Sequence, residues 1–87
     1  MDKYKVTLVD EEQQRLKEMV HKGKAAARKL THAHILLLAD ESEGRSGRTD
    51  DEIAEALQVT PRTIARVRKR FVMEGFEEAI NPRPQPP

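Results

Sequence analysis

The sequence predicts an all-α fold, a small domain of four helices. The chain has 87 residues, enough for one modest hydrophobic core and too few for two. It contains a single Tyr, two Phe and no Trp, a composition poor in the aromatic residues that sheets favour. Its apolar residues recur at helical spacing, and start and stop signals for four helices follow one another along the chain.

The composition also excludes several classes of protein. The chain has no Cys, so disulfides and thiolate zinc sites are excluded. The longest apolar run, "AHILLLA", is interrupted by His34 and is too short to span a bilayer. The N-terminus, "MDKYKVTLVDEE", lacks the apolar region of a signal peptide. We therefore expect a cytoplasmic protein with no membrane partner.

The first half of the chain predicts an N-terminal arm and two helices. Residues 1–9 alternate loosely between apolar and polar and form the predicted arm. Asp10 is the predicted N-cap of a helix that runs to about Lys22 and stops at Gly23. A second helix is predicted from Lys24 to Asp40. Its later residues are apolar nearly all round, which indicates a central helix with neighbours on several sides.

Residues 49–74 carry two helix-start signals in close succession. "TDDE", residues 49–52, is a capping box, and Thr60 followed by Pro61 starts another helix that continues to about Glu74 and stops at Gly75. Two short helices separated by about three residues have the spacing of a helix-turn-helix. The turn position often held by Gly, because it tolerates positive φ, is Gln58 here. We therefore predict a C-terminal helix-turn-helix of the homeodomain-like or paired-like type.

The second helix of this pair carries the candidate DNA-binding residues. Its stretch "TPRTIARVRKRF", residues 60–71, contains five basic side chains and no acid. If Ile64, Val67 and Phe71 form the buried face, a rotation of 100° per residue places the following residues opposite: Arg62, Arg66, Lys69 and Met73. Thr63 and Arg70 flank that row, while Arg68 lies near the edge of the buried face, where its stem covers the core.

These positions predict a division of labour on double-stranded DNA. Arg62 and Arg66, near the start of the helix, suit guanine edges in the major groove because Arg offers two parallel donors. Lys69 and Arg70 suit phosphates, and Thr60 and Thr63 complete the predicted contact set. The loop residues Arg45 and Arg48 are further candidates for phosphate contacts, with a solvated surface as the alternative for both.

The charge balance and the histidines add two expectations. The net charge is only +1, because acids cluster at the predicted helix starts, so nonspecific DNA affinity should be weak and salt-sensitive. His32 and His34 point about 200° apart on a helix and cannot chelate one metal ion together. Nothing in the chain resembles a nucleophile with its base, so we expect no catalytic residues, metal or cofactor.

Residues 81–87, "NPRPQPP", hold four prolines and are predicted to be a linker or tail after a helical domain of residues 10–80. Three blocks of the sequence resemble the N-terminal DNA-binding domain of bacterial insertion-sequence transposases. They are this ending and the stretches "GKAAARKLTHAHILLLAD" and "DDEIAEALQVTPRTIARVRKRFVMEGFEEAI". The group is the six-thirty insertion-sequence family, related to the mariner transposases. The resemblance runs from about Tyr4 to Pro84, and its blocks match in order.

The resemblance implies a function and partners. In that family the domain binds the terminal inverted repeats of the element, and Thr60, Arg62, Thr63 and Arg66 would be the main DNA contacts here. The family's linker leads to a catalytic domain in which three carboxylates hold two divalent metals. That domain, in cis or from an adjacent reading frame, and a second copy of the chain are the expected protein partners. The chain ends where the linker begins, so we expect it to be no enzyme by itself.

Several alternatives remain open at this point. An excised domain, the first product of a split reading frame and a remnant recruited as a DNA-binding protein would all have this sequence. A free-standing helix-turn-helix regulator that represses its own promoter is a second interpretation. A helical module whose basic helix meets an acidic protein is a third.

Overall fold

The computed structural model describes residues 4–42 and 47–81. Within these ranges the chain forms helices and no strands, which confirms the all-α class. The helices are α1 (Asp10–Lys22), α2 (Ala27–Ala39), α3 (Asp50–Leu57), α4 (Pro61–Glu74) and α5 (Phe76–Ile80). The first four match the predicted helices, and α5 is an addition to them. No helix in the described part of the chain combines the length and the apolarity that crossing a bilayer requires.

The start of α1 differs by one residue from the prediction. The N-cap is Val9, and Asp10 is the first helical residue. The predicted cap at Asp10 is wrong because Glu12 satisfies the helix start instead: its Oε1 accepts a hydrogen bond from the Val9 main-chain N–H at 3.0 Å. The predicted stop is confirmed, since Gly23 is left-handed at φ 62° and its N–H donates to the Met19 carbonyl at 3.0 Å.

Helix α2 is the centre of the fold, as its nearly all-round apolar character predicts. It packs against α1, α3, α4 and α5. Its buried residues are Ala33, Ile35, Leu36 and Ala39. The helix begins at Ala27, later than the predicted Lys24, because the backbone after Gly23 is still non-helical at Ala26, where ψ is 147°. It ends at Ala39, one residue before the predicted end.

Helices α3 and α4 are joined by a three-residue turn, residues 58–60, and pack against each other. The capping box is formed: the Thr49 hydroxyl accepts from the Glu52 N–H at 3.2 Å, and Glu52 Oε1 accepts from the Thr49 N–H at 2.9 Å. Gln58 is left-handed at φ 56°. Thr60 caps α4 by accepting from the Thr63 N–H at 3.3 Å, with Pro61 at the first helical position. All of these turn features are as predicted.

Two segments outside the four predicted helices complete the core. Val6 and Leu8 are buried, and the Val6 carbonyl accepts from the Glu41 N–H at 2.8 Å. At the other end of the chain, α5 buries Phe76, Ala79 and Ile80. The i, i+3, i+4 spacing of those three residues is a helical signal in the sequence, although a short one. The hydrophobic core therefore draws on every described helix and on the segment before α1.

Candidate nucleic-acid interface

Helix α4 separates an apolar face from a basic one. Ile64 and Val67 are buried, and Phe71 is partly buried against the core. Arg62, Arg66 and Lys69 are exposed on the other side, at the i, i+4, i+7 spacing of a single row. Met73, 66% exposed, continues that row. We call Arg62, Arg66 and Lys69 the basic ridge.

Two threonines stand at the start of α4. The hydroxyl oxygens of Thr60 and Thr63 lie 3.0 Å apart and share a hydrogen bond, in addition to the cap that Thr60 provides. Whichever hydroxyl donates within the pair, the other keeps its hydrogen for an outside acceptor. The pair therefore offers one hydroxyl donor at the N-terminus of α4, where the helix dipole favours an anion.

Arg70 flanks the basic ridge and is less accessible than its members. Its side chain is 28% exposed, and its Nε lies 3.9 Å from Glu74 Oε2 on the next turn. A phosphate would therefore compete with Glu74 for this guanidinium. Arg70 also acts on His32 of α2, where it is one of the positive charges that lower the pKa of the imidazole.

Arg68 points into the protein instead of joining the basic ridge. Its side chain is 3% exposed, and Nε lies 2.6 Å from Asp50 Oδ1 at the start of α3. The prediction that Arg68 covers the core is right in direction but incomplete. The charged head is buried along with the stem because Asp50 and two main-chain carbonyls, those of Tyr4 and Arg48, accept hydrogen bonds from it.

Of the two loop arginines predicted as phosphate contacts, the structure describes only Arg48. Arg48 is exposed directly before the α3 N-cap, and its main chain is bonded on both sides, to Leu38 and to Arg68. Arg45 lies outside the described residues. Arg48 is thus linked to α4, although the sequence separates them by a turn and a helix.

Acidic side chains at the start of α3 offset this positive charge. Asp51, Glu52 and Glu55 are exposed. The Glu52 carboxylate accepts hydrogen bonds from the Thr49 main chain and hydroxyl, and these bonds lower its pKa below the usual value. Glu52 is therefore an anion at neutral pH, and Asp50 is paired with Arg68.

His32 of α2 is bonded to α5. His32 is half-buried, and its Nδ1 donates to the Ala79 carbonyl of α5 at 3.1 Å. Burial is the largest cause that lowers the pKa of His32. In the described part of the chain, no three His, Asp or Glu side chains are grouped so as to hold a metal ion.

Sequence reasoning found the basic ridge but not the contacts of Arg68. Helical periodicity reveals which residues of α4 are exposed, because that depends only on the geometry of one helix. It does not reveal that the exposed Arg48 and the buried Arg68 are bonded, since no local pattern links them.

Two capped helices, a three-residue turn and an exposed row of Arg and Lys on the second helix define a helix-turn-helix protein of the DNA-binding class. The sequence model of the winged helix-turn-helix family matches residues 32–87, and the chain belongs to this family. That range includes α3, α4 and α5 and most of α2. No match was found among curated proteins or among solved structures.

Proposed function

We propose that this DNA-binding domain is the recognition domain of an insertion-sequence transposase and that it binds the terminal inverted repeats of the element. The family match supports binding to double-stranded DNA. The resemblance of residues 4–84 to the six-thirty insertion-sequence transposases supports the finer statement. Its protein partners are the catalytic domain, in cis or from an adjacent reading frame, and a second copy of the chain.

The observation that carries the proposal is the basic ridge on α4. Arg62 and Arg66 are exposed on the N-terminal half of α4, the part of a recognition helix that meets base edges. Each guanidinium matches the O6 and N7 acceptors of a guanine. In this proposal Lys69 and Arg70 reach the phosphates, as does Arg48 beside α3, and the pair of Thr60 and Thr63 supplies one hydroxyl donor near the start of α4. Arg45 is a further proposed phosphate contact.

Substitution of the two ridge arginines tests the base contacts. The target duplex is first obtained by selection from a library with a randomised core, and its affinity is compared with that of a scrambled duplex by fluorescence anisotropy. We expect Arg62→Ala and Arg66→Ala each to weaken binding to the selected duplex by about 1–3 kcal/mol and to relax the preference at one base pair. Unchanged sequence preference in both variants would contradict the assignment of α4.

The matched control is Lys17→Ala, which removes an exposed positive charge from α1. This variant should keep the wild-type preference. The location of the selected sequence separates the two DNA-binding interpretations. A match to inverted repeats that flank the gene supports the transposase, whereas a match to the gene's own promoter supports the regulator.

A further inference from the structure

The buried Arg68 joins four separate segments of the chain. Its Nε is paired with Asp50 Oδ1 at 2.6 Å, and its Nη2 donates to the Arg48 carbonyl at 3.1 Å. Its Nη1 donates to the Tyr4 carbonyl at 3.4 Å and lies 4.0 Å from Glu41 Oε2. A guanidinium has five N–H donors in a fixed plane, so it can bind several acceptors at defined angles. Helix α4 is thereby attached to the residues that precede α3.

These contacts hold the main chain of Arg48. Its N–H donates to the Leu38 carbonyl of α2 at 2.9 Å, and its carbonyl accepts from Arg68. The preceding Gly47 lies close against α2, where an added Cβ would be 2.7 Å from the Ala39 carbonyl oxygen. Arg48 therefore extends an exposed, positively charged side chain from a backbone that is anchored to two helices.

The same contacts change the charge beside Arg48. Asp50 is the first residue of α3, the helix that crosses the DNA backbone in a helix-turn-helix complex. A free carboxylate there would repel phosphate. The ion pair with Arg68 offsets the charge of Asp50, so the positive charge of Arg48 is opposed by fewer anions.

We infer that Arg68 is a positioning residue for DNA binding. It holds Arg48 where the Arg48 side chain meets a phosphate of the duplex next to α3, and Arg68 itself does not touch the DNA. The inference rests on the DNA binding stated above and goes beyond it, because it assigns a role to a residue that is withdrawn from the interface.

A double-mutant cycle tests this inference. The variants are Arg48→Ala, Arg68→Lys and the two combined. Lysine keeps the charge that pairs with Asp50, but its single ammonium group cannot also reach the Arg48 carbonyl as the guanidinium does. Binding to the selected duplex and to a scrambled duplex is measured by anisotropy over a range of salt concentrations, at a temperature where circular dichroism shows every variant folded.

We expect Arg48→Ala and Arg68→Lys to lose the same phosphate contact. Arg48→Ala should reduce the slope of log K against log[salt] by about one, on both duplexes, because one phosphate contact is lost. Arg68→Lys should reduce it by a similar amount, and the combined variant should show no further reduction. The control Arg15→Lys, which alters an exposed ion pair with Glu77 between α1 and α5, should leave the slope unchanged.

Two results would overturn the inference. One is an unchanged slope in folded Arg68→Lys, and the other is additive losses in the cycle. A wild-type chain that binds neither duplex would instead overturn the DNA binding on which the inference rests.

NMR of the wild-type arginine side chains gives a test that does not depend on a variant folding. The Arg48 guanidinium signals should shift when DNA is added, while those of Arg68 should stay as in the free protein. The reverse pattern would contradict the assignment.

Discussion

Gln58 adopts a backbone conformation that residues other than glycine rarely adopt. Its φ of 56° is in the left-handed region, and its N–H donates to the Ala54 carbonyl to end α3. In this conformation a Cβ lies too close to the following carbonyl oxygen, which costs about 1–2 kcal/mol. The turn between α3 and α4 requires this conformation, and Gln58 adopts it despite the cost.

The Gln58→Gly variant should therefore be more stable than the wild type. Removing the Cβ relieves the close contact, and the greater freedom of glycine in the unfolded chain cancels part of the gain. We expect a net increase of about 0.5–1 kcal/mol in the free energy of unfolding, measured by urea denaturation.

Ala56→Gly is the matched control, because Ala56 is exposed in α3 two residues before Gln58. Glycine at a helical position should lower the free energy of unfolding by about 1 kcal/mol. Destabilisation of similar size in both variants would show that the turn does not hold Gln58 in the left-handed region.

At the scale of the elements, α5 depends on its neighbours. A helix of five residues is too short to be stable by itself. It is held because Phe76, Ala79 and Ile80 are buried and because His32 of α2 donates to the Ala79 carbonyl. Burial is the main factor that disfavours a positive charge on His32, and the charges of Arg70 of α4 and Arg28 of α2 add to it, which together outweigh the opposing effect of the hydrogen bond to Ala79 on the pKa. The neutral imidazole is therefore the form that fits between α2 and α5.

The burial of His32 predicts a loss of stability in acid. Because burial lowers the pKa of His32 below 6.5, the unfolded chain binds a proton at this group more readily than the folded chain. The contribution of His32 is fully present above pH 6.5 and is lost as the pH falls from there toward the lower pKa of the folded state. Urea denaturation at several pH values between about 5 and 8 measures the effect.

The control for this prediction uses another histidine. His32→Gln should remove most of the decrease in stability near pH 6, whereas His21→Gln, at an exposed position of α1, should retain it. If the two variants lose the pH dependence equally, the burial of His32 between α2 and α5 is not its source.

At the scale of the whole molecule, the segment before α1 is part of the core. Leu8 is 4% exposed, and its N–H donates to Asp40 Oδ1 at 3.1 Å. Its neighbour Val9 is 61% exposed. Every second side chain of residues 4–9 thus faces the interior, which ties the beginning of the chain to the end of α2.

Leu8→Ala should accordingly destabilise the whole domain. Removal of a buried leucine side chain leaves a cavity, and we expect a loss of about 2–5 kcal/mol in the free energy of unfolding. Val9→Ala should change it by less than about 0.5 kcal/mol, because Val9 is largely exposed. The measurement is again urea denaturation. Equal effects of the two substitutions would mean that this segment does not pack as described.

The predictable part of the fold and of the candidate site rests on local patterns. The capping box at Thr49, the cap at Thr60 and the stop at Gly23 each involve residues within about one helical turn, so they can be recognised without a structure. The basic ridge follows from the 3.6-residue period of α4. Helix α1 nevertheless begins one residue earlier than predicted, because the Glu12 side chain accepts the hydrogen bond from the main chain of the N-cap, Val9, and Asp10 is not the cap.

The sequence by itself determined the all-α class, the helix-turn-helix and the exposed face of α4, because caps and periodicity depend on neighbours within a turn or two. Only the tertiary structure decided which groups the Arg68 guanidinium binds. Its partners Asp50, Arg48 and Tyr4 lie 18, 20 and 64 residues away in the sequence. Their meeting depends on how α4 packs against the residues before α3 and before α1, and no local pattern encodes that packing.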